Sequence, residues 1–246
     1  MTRLLTVAEV ADYLKTTTTT VYRWLKEGTI SAVKIGKEWR IDEETLDAIL
    51  SRSRNSAGPF AHFRQHLRKN EHLILITGKN SEVAQFEASF FRMGLEEGAI
   101  LMKGCWWQSE DEIIEQYKRF GLDAATLVRN GTLTIVNLSK LFSDEGINGP
   151  IKAWRASIDN AISGGAPRLW ASGSPNMYCC NNDPDLLIDF ETKLDEVIKN
   201  HPVIGVCPYS LEDIGNRDHF EKMITLMSCH SGVAFYSDEQ YRLLRQ

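Results

Sequence analysis

A glutamate on the apolar face of a predicted helix is the first candidate for chemistry in this sequence. Leu187, Glu191, Leu194 and Ile198 follow one helical stripe, so the face that should be buried carries a carboxylate. A buried charge needs a partner. Glu191 is therefore predicted either to belong to a ligand pocket or to form a structural pair with Arg168 or with loop amides.

Thiol and imidazole groups lie at predicted strand or helix ends in the second half of the chain. A thiolate site for a metal, haem or oxidant is one interpretation of them, and buried small side chains are the other. The C-x-x-C spacing that would favour the first is absent from the sequence, so we predict no cofactor and no metal. An odd number of cysteines fits reduced thiols better than a disulfide framework. The residues concerned are Cys105, Cys179, Cys180, Cys207, Cys229 and His230.

Other side chains near these positions are predicted to line a pocket for a small molecule. Cys207 and Tyr209 are two residues apart and share one face of a predicted strand. Trp106 and Trp107 follow the end of another strand, where adjacent residues cannot both face inward, so at most one is expected to form a pocket wall. The predicted ligand-binding set is Trp107, Arg168, Tyr178, Glu191, Cys207, Tyr209 and His230.

The segment TGKNSE, which follows the first strand of this region, superficially resembles a phosphate-binding loop. Leu73 stands where the first glycine of such a loop belongs, and Asn80 replaces the Ser or Thr that would hold magnesium. The sequence also lacks the H-E-x-x-H, G-x-S-x-G and G-x-G-x-x-G motifs. We therefore expect no ATP hydrolysis and no enzyme activity.

The elements that must position these side chains alternate between strand and helix from His72 onward. Apolar runs such as HLILITG and VIGVCPYS read as buried strands, and amphipathic segments such as SEVAQFEASFFRMGLEEG, together with one that Ser109 opens, read as helices. This alternation predicts an α/β fold, with a mostly parallel sheet covered by helices on both faces. In such sheets ligands bind beyond the carboxyl ends of the strands.

The first 54 residues have a different pattern, of short helices and one hairpin. Thr6 and Glu9 have capping-box spacing, and the run of threonines predicts a turn that ends with Thr17 as the cap of a second helix. A change to period two predicts a β-hairpin around Gly36, and a third helix is expected from Asp42. Helix, turn, helix, hairpin and helix together form a winged helix-turn-helix.

The second helix of that motif is the one that enters the major groove of DNA. Threonine can contact phosphate or a thymine methyl group, and arginine can pair with guanine. Basic residues on the hairpin are expected to contact the phosphate backbone. The predicted DNA-binding set is Thr17, Thr18, Thr19, Tyr22, Arg23, Lys26, Lys34, Lys37 and Arg40.

Two family resemblances extend this interpretation. The stretch LLTVAEVADYLKTTTTTVYRWLKEGTISAVKIGKEWRI resembles the excisionase-type DNA-binding domain, a relative of the MerR family, although Lys15 and Thr17 hold places where the family usually has Gly and Ser. Residues 70–237 resemble the DcmR-like sensory domain, called MEDS for methanogen/methylotroph, through His72 and the segments FFRMGLEEG, PRLWASG, DFETKL, GVCPYS and LMSCHSGVAF. That resemblance implies a fold similar to RecA/KaiC-type ATPases without the phosphate loop, and detection of a small molecule.

Composition and charge fit this division of the chain. The 246 residues carry a net charge of −5, but residues 1–54 hold nine Lys or Arg against eight Asp or Glu, so the acidity belongs to the remainder. The longest apolar runs fall far short of a bilayer span, and no signal peptide is evident, so we expect a cytoplasmic protein with no membrane partner. The predicted domains are residues 1–54 for DNA binding, 55–70 as a linker and 71–240 for sensing.

We predict a transcription regulator whose partners are double-stranded operator DNA and an unknown small-molecule effector. One such motif makes few base contacts, so a homodimer that reads two half-sites is expected. The alternative is an excisionase-like architectural factor whose second domain recruits a protein, and an enzyme that transfers a group on a nucleotide ranks third.

Overall fold

The computed structural model describes residues 4–13, 16–26, 30, 32–36, 38–42, 59–173, 175–176, 179–214, 217–238 and 240–245. The chain divides into two compact units, Met1–Ala61 and His62–Gln246.

Over its described residues up to Asp42, the smaller unit contains two helices and a three-stranded antiparallel sheet. Its elements are β1 (Leu4–Thr6), α1 (Val7–Tyr13), α2 (Thr18–Lys26), β2 (Val33–Ile35) and β3 (Glu38–Asp42). The sheet has the order β1-β3-β2. Its core consists of small aliphatic side chains from every element but β2, namely Leu5, Val7, Val10, Ala11, Val21, Ile30 and Ile41.

Local capping explains where the two helices begin. The Thr6 amide donates to Glu9 at 2.8 Å, and the Glu9 amide donates back to the Thr6 hydroxyl at 3.2 Å, which is the predicted capping box. The Thr20 amide donates to the Thr17 hydroxyl at 3.2 Å, so Thr17 caps α2 as predicted. The hairpin also forms, with Gly36 at φ +62° in its turn. The helix predicted from Asp42 lies outside the described residues.

The larger unit is built on a seven-stranded sheet. Its strands are β4 (Glu71–Thr77), β5 (Ile100–Cys105), β6 (Leu133–Asn137), β7 (Leu169–Ser172), β8 (Val203–Ser210), β9 (Gly232–Ser237) and β10 (Gln240–Arg245). They lie in the order β10-β9-β4-β8-β7-β5-β6. All neighbouring pairs are parallel except β9 and β10, which are antiparallel. The predicted α/β architecture with a mostly parallel sheet is therefore confirmed.

Helices precede and connect these strands. They are α3 (Pro59–His66), α4 (Asn80–Glu96), α5 (Glu110–Arg119), α6 (Ala124–Arg129), α7 (Leu138–Glu145), α8 (Asn148–Ser163), α9 (Pro184–Ile198) and α10 (Arg217–Ser228). The central strands β4 and β8 are buried along their whole length, as continuous apolar runs predict for a parallel sheet. From His62 onward α3 belongs to this unit, where the Phe63 ring meets Phe86 and Tyr241 edge to face.

One face of the sheet packs against α8, α9 and α10. Its core contains Trp154, Phe190 and Leu226, all with essentially no exposed surface. The opposite face packs against α4, where Phe90 contacts Trp170 with ring centroids 4.7 Å apart. The polar groups of the candidate site are embedded in these two apolar layers.

Two glycines let β5 and β7 approach closely at the carboxyl end of the sheet. Gly173 directly follows β7 and has φ +141°, a conformation that essentially only glycine adopts. A Cβ atom on Gly173 would lie 2.2 Å from the carbonyl oxygen of Gly104. The backbone therefore leaves no room for a side chain at this position.

Candidate functional site

The outer face of α2 presents the side chains that the sequence assigned to DNA. Thr18, Thr19, Tyr22 and Arg23 are exposed, and Tyr22 keeps 53% of its surface accessible. Val21 on the inner face is fully buried, which fixes the rotation of the helix. Thr17 and Lys26, at the two ends of α2, are exposed as well. This exposed face has the composition that a recognition helix needs.

The hairpin contributes two described basic residues beside that helix. Lys34 is exposed, with its Nζ 5.8 Å from the centre of the Trp39 ring. Arg40 is only partly exposed, and its Nη2 lies 2.6 Å from the carboxylate of Glu38 on the same strand. Arg40 is thus already ion-paired, whereas Lys34 is available for a phosphate. Lys37 lies outside the described residues.

In the larger unit, Glu191 is the centre of a buried polar cluster. Its Oε1 accepts a hydrogen bond from the Tyr209 hydroxyl at 2.5 Å, and its Oε2 accepts one from the Cys207 thiol at 3.2 Å. The same Oε2 lies 3.4 Å from His72 Nε2 and 3.6 Å from His230 Nε2. We call His72, Glu191, Cys207 and His230 the histidine–glutamate cluster; all four side chains are buried.

The outward nitrogen of each histidine in this cluster also has a partner. His72 Nδ1 lies 3.3 Å from the Asp195 carboxylate, and His230 Nδ1 lies 2.7 Å from the carbonyl oxygen of Leu226. A carbonyl oxygen only accepts, so Nδ1 of His230 carries the hydrogen. In both rings Nε2 is the atom that faces Glu191.

Electrostatics within the cluster separate the two histidines. Burial opposes ionisation of His72, but the carboxylates of Asp195 and Glu191 outweigh it and raise the pKa of His72. Burial and the neighbouring His72 lower the pKa of His230. Burial alone would raise the pKa of Glu191, yet the two histidines hold it well below its usual range. Burial and the charge of Glu191 raise the pKa of the Cys207 thiol.

A second buried ionic group lies on the other face of the sheet. Lys103 Nζ on β5 donates to Glu87 Oε1 on α4 at 2.6 Å. The Ser172 hydroxyl donates to the same oxygen at 2.5 Å, and the Tyr117 hydroxyl donates to Glu87 Oε2 at 2.9 Å. All four side chains are buried. Glu87 therefore links α4, α5, β5 and β7 through one carboxylate.

This ionic group forms part of the wall of a cavity of about 510 Å³ beyond the carboxyl ends of the strands. Trp106 and Trp107 supply aromatic surface, and Asn80, Gln108 and Ser210 supply neutral polar groups. The charged lining side chains are Glu87, Glu112, Asp213, Lys103 and Arg119, three acidic and two basic. Such a mixture of aromatic and convergent polar groups is typical of a small-molecule site.

Comparison with protein families assigns both units. The sequence profile of MEDS, the methanogen/methylotroph DcmR sensory domain, matches residues 71–231, which is more than half of the chain. The chain belongs to the MEDS family. A second profile, a helix-turn-helix domain, matches residues 4–54. The predicted combination of a DNA-binding motif with this sensory domain is thereby confirmed.

Individual relatives agree with the profile of the smaller unit. Two Mycobacterium tuberculosis proteins, from strains CDC 1551 and H37Rv and both named "Putative DNA-binding protein", are 39% identical to this chain over 57 residues. The match covers 23% of this chain and 73% of each relative. A KaiC-like protein of Pyrococcus horikoshii OT3 aligns in structure with a TM-score of 0.49 and 16% identity, over 67% of this chain and 70% of that one.

The MEDS domain brings four of the predicted ligand-binding residues together and separates others. Glu191, Cys207 and His230 belong to the histidine–glutamate cluster, and the Tyr209 hydroxyl donates to its Glu191. Trp107 is 54% exposed and lines the cavity instead, while Trp106 is buried in the core next to Phe142 and Phe190 and also reaches the cavity wall. Tyr178 lies outside the described residues.

The predicted pairing of Arg168 with Glu191 is wrong. Arg168 immediately precedes β7, and its Nε lies 3.6 Å from the Glu97 carboxylate. It thus occupies the amino end of a strand, whereas Glu191 is buried in the middle of α9. The other cysteines, at positions 105, 179, 180 and 229, are free thiols that do not belong to the histidine–glutamate cluster.

Carboxylates occupy the amino end of α4 in the MEDS domain. The Asn80 amide donates to Glu212 at 2.7 Å, and the Lys79 amide donates to Glu82 at 2.9 Å. Although burial opposes it, amide donors including Asp238 and Lys79 lower the pKa of Glu82. Two anionic side chains therefore already use the helix end that attracts anions.

In the part of the chain that the structure describes, no helix is both long enough and apolar enough to cross a membrane.

His72, Glu87 and Lys103 are site residues that the sequence prediction did not include. Glu87 and Lys103 each interrupt an apolar pattern, which is the signal that identified Glu191.

Proposed function

We propose that this chain is a transcription regulator that binds duplex DNA through α2 and the hairpin, and whose MEDS domain binds a small effector in the 510 Å³ cavity. The observation that carries the proposal is the presence, in one chain, of an exposed helix-turn-helix face and a sensory-family domain with a mixed aromatic and polar cavity. Catalysis would require reactive groups in addition to these features. The carboxylates that accept from the amides at the amino end of α4 argue against nucleotide turnover.

The lining of the cavity favours a neutral or cationic organic molecule with a small apolar part. Three acidic side chains against two basic ones disfavour a phosphate or a dicarboxylate. Lys103, the buried cation, is already neutralised by Glu87. Methanol and methylamines fit this chemistry. They contain methyl groups as their only carbon, in agreement with the methanogen/methylotroph description of the family.

A homodimer completes the proposed mechanism. One recognition helix reads only a few base pairs, so two copies that read half-sites one helical turn apart supply the specificity. The effector acts by binding one dimer geometry more tightly than the other, and only this difference in affinity can change DNA binding. If DNA binding responds to no small molecule, the result would instead indicate an excisionase-like architectural role.

Replacing Arg23 with alanine is expected to weaken binding to a duplex selected from a random library by about 1–3 kcal/mol, roughly 5- to 150-fold, because its guanidinium is lost from the groove face. Fluorescence anisotropy at fixed salt measures this. The matched control is Arg242→Ala, which removes an exposed arginine of the other unit and should leave the affinity unchanged. Equal affinities for the Arg23 variant and the native chain contradict the assignment of α2.

Replacing Trp107 with alanine is expected to raise the half-maximal effector concentration about five- to tenfold, because an aromatic wall contact is worth roughly 1–1.4 kcal/mol. The probes are methanol, methylamine and trimethylamine, with formate as the anionic comparison, and the readout is DNA affinity with and without each probe. Phe220→Ala is the control, since Phe220 is 56% exposed and not among the cavity-lining residues. A Trp107 variant that responds like the native chain would place the effector elsewhere.

A further inference from the structure

The histidine–glutamate cluster has a feature that its hydrogen bonds do not explain. Nε2 of His230 is buried and has no hydrogen-bond partner among the described residues. Glu191 Oε2 lies 3.6 Å from it, which is too long for a hydrogen bond. Because Nδ1 of His230 carries the hydrogen that Leu226 accepts, the neutral ring directs a lone pair at a carboxylate oxygen. Two electron-rich atoms that face each other in a dry interior call for a cation between them.

The ligand atoms of the cluster have the spacing of a tetrahedral metal site. Cys207 Sγ lies 3.2 Å from Glu191 Oε2 and 3.3 Å from His72 Nε2, and His72 Nε2 lies 3.4 Å from Glu191 Oε2. All four ligand atoms lie within 4.8 Å of one another. Bonds of about 2.0–2.3 Å to zinc require ligand atoms roughly 3.3–3.8 Å apart. Small side-chain movements therefore suffice to bring all four to one ion.

Outer contacts hold these ligands in the orientation that a metal needs. Asp195 and the Leu226 carbonyl each occupy Nδ1 of a histidine, which leaves both Nε2 atoms directed inward. Tyr209 fixes the second oxygen of Glu191, so Oε2 remains the inward ligand. Carboxylate–histidine and carbonyl–histidine pairs of this kind accompany metal-bound histidines in proteins.

Charge balance also fits a divalent ion. A thiolate and a carboxylate together carry two negative charges, which one divalent ion neutralises, and the two imidazoles bind as neutral ligands. The donor set of two nitrogens, one sulfur and one oxygen in tetrahedral arrangement suits Zn²⁺ better than the oxygen-preferring Mg²⁺ or Ca²⁺.

We propose that His72, Glu191, Cys207 and His230 bind one Zn²⁺-type transition-metal ion in the core of the MEDS domain. The ion joins β4, β8, α9 and the end of α10, since each ligand comes from, or directly follows, a different element. Binding displaces the Cys207 proton, so the thiolate becomes a ligand. The proposal goes beyond the proposed regulatory function and does not depend on DNA binding.

The test uses the full chain, purified without a metal-affinity tag, stripped with a chelator and titrated with Zn²⁺ or Co²⁺. We expect one equivalent of Zn²⁺ by elemental analysis, a thiolate-to-cobalt charge-transfer band with strong tetrahedral d–d bands, and a higher thermal midpoint with Zn²⁺ than without. Cys207→Ser should abolish the charge-transfer band. It should also weaken Zn²⁺ binding by more than the roughly 10- to 100-fold that losing an outer partner costs.

Two further variants make the result decisive. Tyr209→Phe removes only an outer partner, so it should keep the cobalt spectrum and weaken Zn²⁺ binding roughly 10- to 100-fold. Cys105→Ser, at a buried cysteine outside the cluster, should change neither. A folded native chain that binds no Co²⁺ or Zn²⁺, or a Cys207 variant with an unaltered charge-transfer band, overturns the proposal. DNA affinity measured on the same samples tests the regulatory function separately.

Discussion

Replacing Glu87 with glutamine is expected to lower the free energy of unfolding of the larger unit by about 3 kcal/mol, because it leaves the Lys103 ammonium buried without a counter-ion. This value is the lower end of the usual cost of breaking a buried pair, since Lys103 lines the cavity, where water can reach it. The Tyr117 hydroxyl also loses an anionic acceptor. Burial and the charge of Glu87 raise the pKa of Tyr117 well above its ordinary value, so the phenol stays a donor.

The double variant Glu87→Gln with Lys103→Met is the control for this explanation. Removing both charges should recover much of the loss, because a buried pair contributes little net stability compared with uncharged side chains of similar volume. Urea unfolding followed by near-ultraviolet circular dichroism measures the larger unit through its buried tryptophans. Equal stability of the single and double variants would show that the loss arises from packing and not from the unpaired ammonium.

Replacing Gly173 with alanine is expected to lower the free energy of unfolding by about 4 kcal/mol. The backbone strain of a non-glycine residue at φ +141° costs about 1–3 kcal/mol, and forcing a methyl group into a close-packed site costs about 1–3 kcal/mol more. The added Cβ would meet the Gly104 carbonyl oxygen at 2.2 Å, so β5 and β7 must separate. Because Gly104 lines the cavity, the same movement should also weaken effector binding.

Gly131→Ala separates strain from crowding. Gly131 also has positive φ, +78°, but a Cβ there would meet no atom within 4 Å. This substitution should lower the free energy of unfolding only by the strain of the left-handed conformation, about 1–2 kcal/mol. Thermal unfolding midpoints of the two variants test this difference. Similar losses for both would mean that the sheet adjusts to the Gly173 methyl group without separating.

Local signals in the sequence predicted local structure well. The capping boxes at Thr6 and at Ser109 form as expected because both partners lie within one helical turn. Two short helices, α6 and α7, were missed although Asp123 and Asn137 cap them in the same way. Their apolar stripes span too few residues for a helical period to emerge.

Strand pairing at the edges of the two sheets was harder to predict. β1 is only three residues long and acquires its strand conformation from pairing with β3. β10 alternates weakly between polar and apolar residues and is stabilised by its antiparallel ladder with β9, past the domain boundary predicted at residue 240. Such pairings depend on residues distant in sequence, which a window of local composition does not contain.

The sequence predicted the types of residue in the candidate site better than it predicted their arrangement. Glu191 was identified because a carboxylate interrupted an apolar stripe, and the structure places it among buried polar partners. One of the alternatives predicted for it, a pair with Arg168, was wrong because sequence distance does not tell which end of the sheet a residue occupies. Applied to Glu87 and Lys103, the same reasoning would have found the second ionic group.

The carboxylates at the amino end of α4 have a consequence for the physiology of this protein. Glu82 and Glu212 belong to the chain itself, so these amides are satisfied whatever the supply of ATP. A triphosphate would have to expel two anions to gain the same contacts. Within the proposed function, we therefore expect the response to a small-molecule effector to be the same whether ATP is abundant or scarce.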